Sequence, residues 1–290
     1  MFIRREVFVL LCRFGRVAFV VCIAIAGSAL PAQAQTKSIK DPISYIIDQL
    51  YPPVPDFKTP SGYKVRIGAV AGFTPAFEGS SDYHFRYAPL LDVVYRDRIF
   101  LNSNRLRFNF LPAGNVRGGF QIKYRSGRKE RQSEDLVGLG NVGSSLEAGG
   151  YIEARVHATV FSFDLTRDIG HGHKGTLASL LIGQGLYQDD NTTFGIGLQT
   201  HWASRNYMQA YFGVDAIQSA ASGLPVFNAG AGFKDVGLTF YLKQDLSKHI
   251  SLVSNVTLRH MLDSANDSPI VIQHGNPKQL LTSLALRYEF

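Results

Sequence analysis

The sequence predicts an all-β protein, a transmembrane antiparallel β-barrel of twelve strands, or ten if one region is read differently. Three observations lead there. Segments of roughly ten residues alternate with period two, apolar on one face and charged or hydroxylated on the other, the length and pattern of a tilted bilayer strand. Aromatic side chains recur at the ends of these segments, as in interfacial girdles. The chain opens on an export signal and closes on "SLALRYEF", where Leu284, Leu286, Tyr288 and Phe290 share one face and Ser283, Ala285, Arg287 and Glu289 the other. A sheet in lipid must pair all its backbone groups, which forces it to close.

Residues 1–34 read as a secretory signal peptide, with a basic start (Arg4, Arg5, Arg13, Arg16), an apolar run from Val17 to Ala26, and cleavage expected after Ala34. The apolar run is too short to span, and the surroundings of Cys22 make a poor lipidation site. Both cysteines, Cys12 and Cys22, lie in this segment, so no disulfide or thiol chemistry is expected of the mature chain. Its arginines and Glu6 account for three of the seven formal charges, leaving +4. That charge is diffuse, with no basic tract of the kind that binds nucleic acid. Beyond residue 34 no apolar stretch is long enough for a membrane helix.

Residues 35–63 form a separate periplasmic N-terminal segment. Asp41-Pro42 suits the start of a short helix and Pro52-Pro53 its end. The segment reads either as a spacer or as a docking element for a partner. The barrel domain is expected over 64–290, with strands at 65–73, 84–95, 98–102, 105–111, 116–125, 149–163, 175–187, 193–202, 206–214, 229–245, 249–261 and 280–290. The 98–111 region is where the count is open. With both termini periplasmic, the long segments 126–148, 215–227 and 263–278 fall outside the cell and short turns such as Ser247-Lys248-His249 fall inside, as barrels require.

Several stretches resemble the MltA-interacting protein / OmpV family of Gram-negative outer-membrane proteins. They are "GFTPAFEGSSDYHFRYAPLLDVVY", "DIGHGHKG", "YMQAYFGV", "GAGFKDVGLTFYL", "LDSANDSPIV" and the closing "LALRYEF". The resemblance implies an outer-membrane barrel whose Tyr288 and Phe290 act as a C-terminal signal to the barrel-assembly machinery. It also implies a scaffold joining a murein lytic transglycosylase to a murein synthase; other members are discussed as adhesins, surface antigens or channels. It attaches no catalytic residues.

The residues themselves offer little chemistry. Asp168, His171 and His173 cluster in "DIGHGHKG", but a metal site needs three or four ligands, and a polar turn is the simpler reading. The serines of the two "GSS" stretches sit in no nucleophile elbow, and "GLGNVG" lacks the following helix of a dinucleotide fold. No enzyme, cofactor or metal is expected. The lumen face is more informative. Cations assigned inward are Arg86, Arg105, Arg107, Arg117, Lys123, Arg125, Arg155, Lys243, Arg259 and Arg287, against Asp92, Glu153, Asp245 and Glu289. Either they pair and plug a modest barrel, or they line a narrow anion-preferring pore. The surroundings expected are outer-membrane lipid and lipopolysaccharide; cations left unpaired would be met by water or bound anions in the lumen, or by lipopolysaccharide phosphates if they sit near the rim. Two functions follow: an interaction scaffold for murein enzymes, or a small channel or surface adhesin.

Overall fold

The structure, a computed structural model, describes residues 62–111 and 114–290; the signal peptide and residues 35–61 of the N-terminal segment lie outside the described residues. Twelve antiparallel strands close into one barrel. They are β1 (Tyr63–Pro75), β2 (Tyr83–Tyr95), β3 (Ile99–Asn102), β4 (Arg105–Asn109), β5 (Val116–Arg125), β6 (Ser145–Val156), β7 (Thr159–Asp168), β8 (Thr176–Gln188), β9 (Thr192–Ala203), β10 (Gly232–Asp245), β11 (Ile250–Met261) and β12 (Lys278–Glu289). The closing seam pairs β1 with β12, from Arg66 opposite Glu289 to Phe73 opposite Thr282. Gly68 permits close contact there, since a Cβ on it would sit 2.2 Å from the Leu286 carbonyl oxygen.

Period-two alternation is what the wall is made of. On β5, Phe120 is 65% exposed while Gln121, one residue on, is 1% exposed. The same holds at Phe85, Tyr87 and Leu91 against Arg86 and Asp92, and at Leu284, Leu286 and Tyr288 against Ser283 and Ala285. An outer face this apolar around a closed sheet belongs in a bilayer.

Twelve is the observed count, but two of the expected strands are different objects. Residues 149–163 are two strands, β6 and β7, joined at His157, whose φ of 56° turns the chain back without a glycine. Val160 accordingly shares the inward phase of Ser162 and Asp164 instead of the outer face. Residues 206–214 are mostly helical: α1 (Arg205–Phe212) buries Tyr207, Met208 and Phe212, the stripe of a helix and not of a strand. The two differences cancel in the total. β3 and β4 are the short strands of the 98–111 region, and they do pair as a hairpin between β2 and β5.

Short turns link the strands at the end where β1 begins, and long connections lie at the other. The long ones carry α1, α2 (Ala216–Ser222), α3 (Asp263–Asn266) and α4 (Pro269–His274), with two 3-10 turns between β5 and β6. They pack on one another. Ala76 and Phe77 from the β1–β2 connection, Leu136 and Leu139 from β5–β6, Val214 and Leu224 from β9–β10, and Ile270 from β11–β12 share one buried cluster. Connections rooted around the barrel can meet in this way only by crossing its mouth. The result is a cap.

Candidate functional site

The inner wall of β4 to β7 holds the charges that the sequence singles out. Arg107 on β4 reaches two strands: its Nη1 donates to Glu153 Oε1 at 2.6 Å and its Nη2 to Asp164 Oδ1 at 2.6 Å. Its Nε donates to Gln121 Oε1 at 3.1 Å, and the guanidinium lies 4.4 Å from the Tyr151 ring centre. Arg105 shares Asp164 at 3.5 Å. Arg117 pairs with Asp97 at 3.0 Å. Arg125 pairs with Glu147, which also takes a 3.0 Å contact from His173 Nε2 and a hydrogen bond from the Thr166 hydroxyl. Lys123 is buried directly opposite Glu147 across the β5–β6 ladder.

The remaining inward residues lie elsewhere. Arg155 is half-buried and donates to the His157 carbonyl at 3.1 Å. Lys243 pairs with Asp245 at 2.7 Å, and Arg287 donates to the Ser251 hydroxyl at 3.3 Å. Glu289 accepts from Lys64 at 3.0 Å and Arg66 at 2.7 Å across the closing seam. Arg86 donates to the carbonyls of Pro75 and Ala76 at the foot of the cap. At the last strand Tyr288 and Phe290 face outward, their rings 4.9 Å apart edge to face.

The sequence reading undercounted the anions. Glu153 and Glu289 cannot balance the cluster of Arg105, Arg107, Arg117, Lys123 and Arg125, but Glu147, Asp164 and Asp97 stand among them. Glu147 and Asp164 lie just beyond the two ends of the expected strand 149–163, in what the sequence offers as connections. His173 also differs from its expected place on a polar turn: it is buried against Glu147 and the rings of Tyr207 and Tyr211, while His171 is exposed. Among the described residues no cluster of His, Cys, Asp or Glu is placed to hold a metal ion.

A second network ties the cap to the wall. A β-bulge at Lys234 turns both it and Asp235 inward. Lys234 Nζ contacts Glu78 at 2.9 Å and Asp235 at 3.0 Å, and Asp235 meets His201 Nδ1 at 2.6 Å. Burial alone would raise the Glu78 pKa, yet the charges of Lys234 and Arg259 hold it below its ordinary value. Arg128 is different: buried in the cap, it donates to the Tyr211 carbonyl at the end of α1, and burial brings its pKa down to about 10. Burial likewise raises the phenols of Tyr207 and Tyr211 well above their usual range.

The sequence profile of the family described as "MltA-interacting protein MipA" matches residues 67–290. No curated protein matches the chain significantly. Among solved structures, the chain is similar to an outer membrane channel from Pseudomonas putida F1, at 9% identity over 80% of this chain and 97% of that one, TM-score 0.40. It is also similar to the NanC porin, at 7% identity over 78% and 99%, TM-score 0.38. An anion-selective porin from Comamonas acidovorans matches at 9% identity over 79% and 98%, TM-score 0.32. Overlaps this loose bear neither on the strand count nor on what passes through the barrel.

Proposed function

This chain belongs to the MltA-interacting protein MipA family, and from that premise we propose that it is a scaffold of the outer membrane. In this reading it holds murein-remodelling enzymes, a lytic transglycosylase and a murein synthase, against the outer membrane during cell-wall maintenance. The chain would be exported by its signal peptide, cut after Ala34 and folded by the barrel-assembly machinery, which reads Tyr288 and Phe290. Lipid and lipopolysaccharide would surround it.

One observation carries the scaffold over the pore. The cations that would select anions are already engaged with carboxylates inside the wall, from Arg107 with Glu153 and Asp164 to Arg125 with Glu147. A pore needs fixed charges facing water, whereas these face each other. The cap adds to this, since its connections meet over the mouth. A filled barrel leaves its periplasmic turns and residues 35–61 as the surfaces for partners.

A crosslinking pull-down from cell envelopes tests the reading. The full chain should recover a murein transglycosylase and a murein synthase, and deletion of residues 35–60 should reduce both. Recovery of neither enzyme with the full chain would remove the scaffold reading.

A further inference from the structure

The β3–β4 hairpin stops partway up the wall. It turns at Ser103, whose φ is 49°, and its tip is tied to both neighbouring strands. Ser103 N–H donates to the Leu91 carbonyl on β2 at 2.7 Å, and Tyr124 N–H of β5 donates to the Asn104 carbonyl at 2.9 Å. β3 pairs with β2 only from Asp92 to Tyr95, whereas β2 runs on to Tyr83. Above the tip, among the described residues, no strand stands between β2 and β5.

Pro89 explains the stop. Residues of an antiparallel strand turn their backbone groups to alternate neighbours. Leu91 faces the hairpin, so Pro89, Tyr87 and Phe85 face the same way. Proline has no N–H, so the ladder cannot continue past Leu91 with a full pair. It blunts the edge equally against a strand offered by another protein. Left over are the N–H groups of Phe85 and Tyr87 and the carbonyls of Phe85, Tyr87 and Pro89, which no described strand takes. In the bilayer such groups are costly unless something polar reaches them.

The opening is a notch in the wall and not a hole through it. Behind it the inward side chains His84, Arg86, Ala88 and Leu90 are all buried. Its two flanks are apolar: Phe85 and Tyr87 on β2 and Ile122 and Tyr124 on β5 are exposed on the outer face, Tyr87 by 74%. At the hairpin β2 and β5 are three strand spacings apart, about 14 Å, which is room for more than one acyl chain. The notch lies in the half of the wall nearer the cap, the half that meets the outer leaflet.

We propose that this notch seats a molecule of lipopolysaccharide, held from the side with its acyl chains against β2 and β5. A plain phospholipid chain offers the bare backbone nothing at this depth. Hydroxylated and amide-linked acyl chains bring O–H, N–H and C=O groups below the sugar, which are the donors and acceptors that Phe85, Tyr87 and Pro89 lack. Past the outer end of the notch, the connection leaving β5 carries Lys129 and Arg131, cations suited to the phosphates of such a lipid. The seat is in the wall, so it leaves the lumen filled and the cap closed. It goes beyond the scaffold reading and does not depend on it.

The test is photo-crosslinking in intact cell envelopes, with p-benzoylphenylalanine placed at Tyr87 and, separately, at Leu180. Leu180 also faces lipid, on β8 across the barrel, as many residues above its turn as Tyr87 is. Heat-modifiable gel migration checks that each barrel is folded, and Phe85 replaces Tyr87 as the probe position if that variant is not. Lipopolysaccharide should form the main adduct at Tyr87, in several-fold higher yield than at Leu180. Equal yields at the two positions, none at either included, would show only bulk lipid around the barrel. A phospholipid adduct in its place, or a protein crosslinked at Tyr87, would overturn the assignment in favour of that occupant.

Discussion

Two stretches of the same inner wall are built from opposite materials. On β1, β2, β11 and β12 the inward side chains Val70, Ala88, Leu90, Val253 and Ala285 form an apolar cluster, with Tyr241 of β10 packed against it. On β4 to β7 the inward side chains are Arg107, Gln121, Glu153 and Asp164, joined by ion pairs. Both are largely buried, but they fail differently. An apolar cluster loses stability in proportion to the atoms removed and the cavity left. A buried charge network gains little over an apolar filling, yet it is costly to leave half-made. The charged half should therefore be the more brittle one.

The largest effect is expected from Glu153→Gln combined with Asp164→Asn, which strands Arg107. Losing a buried partner costs about 3–5 kcal/mol, readable as a shift in urea unfolding followed by fluorescence of Trp202, the one tryptophan. A loss below about 1 kcal/mol would mean that water already solvates Arg107 and that the charged half is open. Next comes the outside of the wall. Leu284→Arg places a charge in lipid at mid-strand, at about 2–4 kcal/mol. Ser283, the inward neighbour, accepts from the Asn255 amide at 3.3 Å, so Ser283→Ala should cost less; the opposite ranking would put the last strand one residue out of register.

In the apolar half, Leu90→Ala should cost about 2–3 kcal/mol, the lower part of the range for such truncations, because the cluster is small. A loss equal to that of the stranded arginine would erase the contrast between the halves. The cap offers a pH test. Glu78 has its folded pKa lowered below 4.5 by Lys234 and Arg259 against the opposing effect of burial. Its contribution is therefore complete above the unfolded pKa and lost as pH falls through the folded value. Cleavage of the cap by pepsin should rise over that window, and Glu78→Gln should remove the step. The smallest effect belongs to the Lys243–Asp245 pair, which is a third exposed. Lys243→Ala should change stability by less than about 1 kcal/mol.

The barrel was legible because period two survives in almost every strand; Arg105, Leu106 and Arg107 alternate even in the short β4. Two elements were not. The turn at His157 carries neither glycine nor proline, so the chain through Arg155 and Val160 reads as continuous. "YMQAYF" is rich in aromatic residues and passes for a strand, although Tyr207, Met208, Tyr211 and Phe212 follow helical spacing. The ion pairs depend on register, which periodicity does not give. Arg107 meets Asp164 from 57 residues away because β4 to β7 are neighbours. Likewise the bulge at Lys234 shows in the sequence only as the adjacent pair Lys234-Asp235.

Conductance of the purified barrel in planar bilayers most directly tests the claim that the lumen is filled and the cap closed. The account predicts no resolved channel steps in the parent protein, and none after Arg107→Gln and Arg117→Gln beyond rare openings of a loosened wall. Steady, anion-selective channels in the parent, with selectivity lost in that double variant, would contradict it.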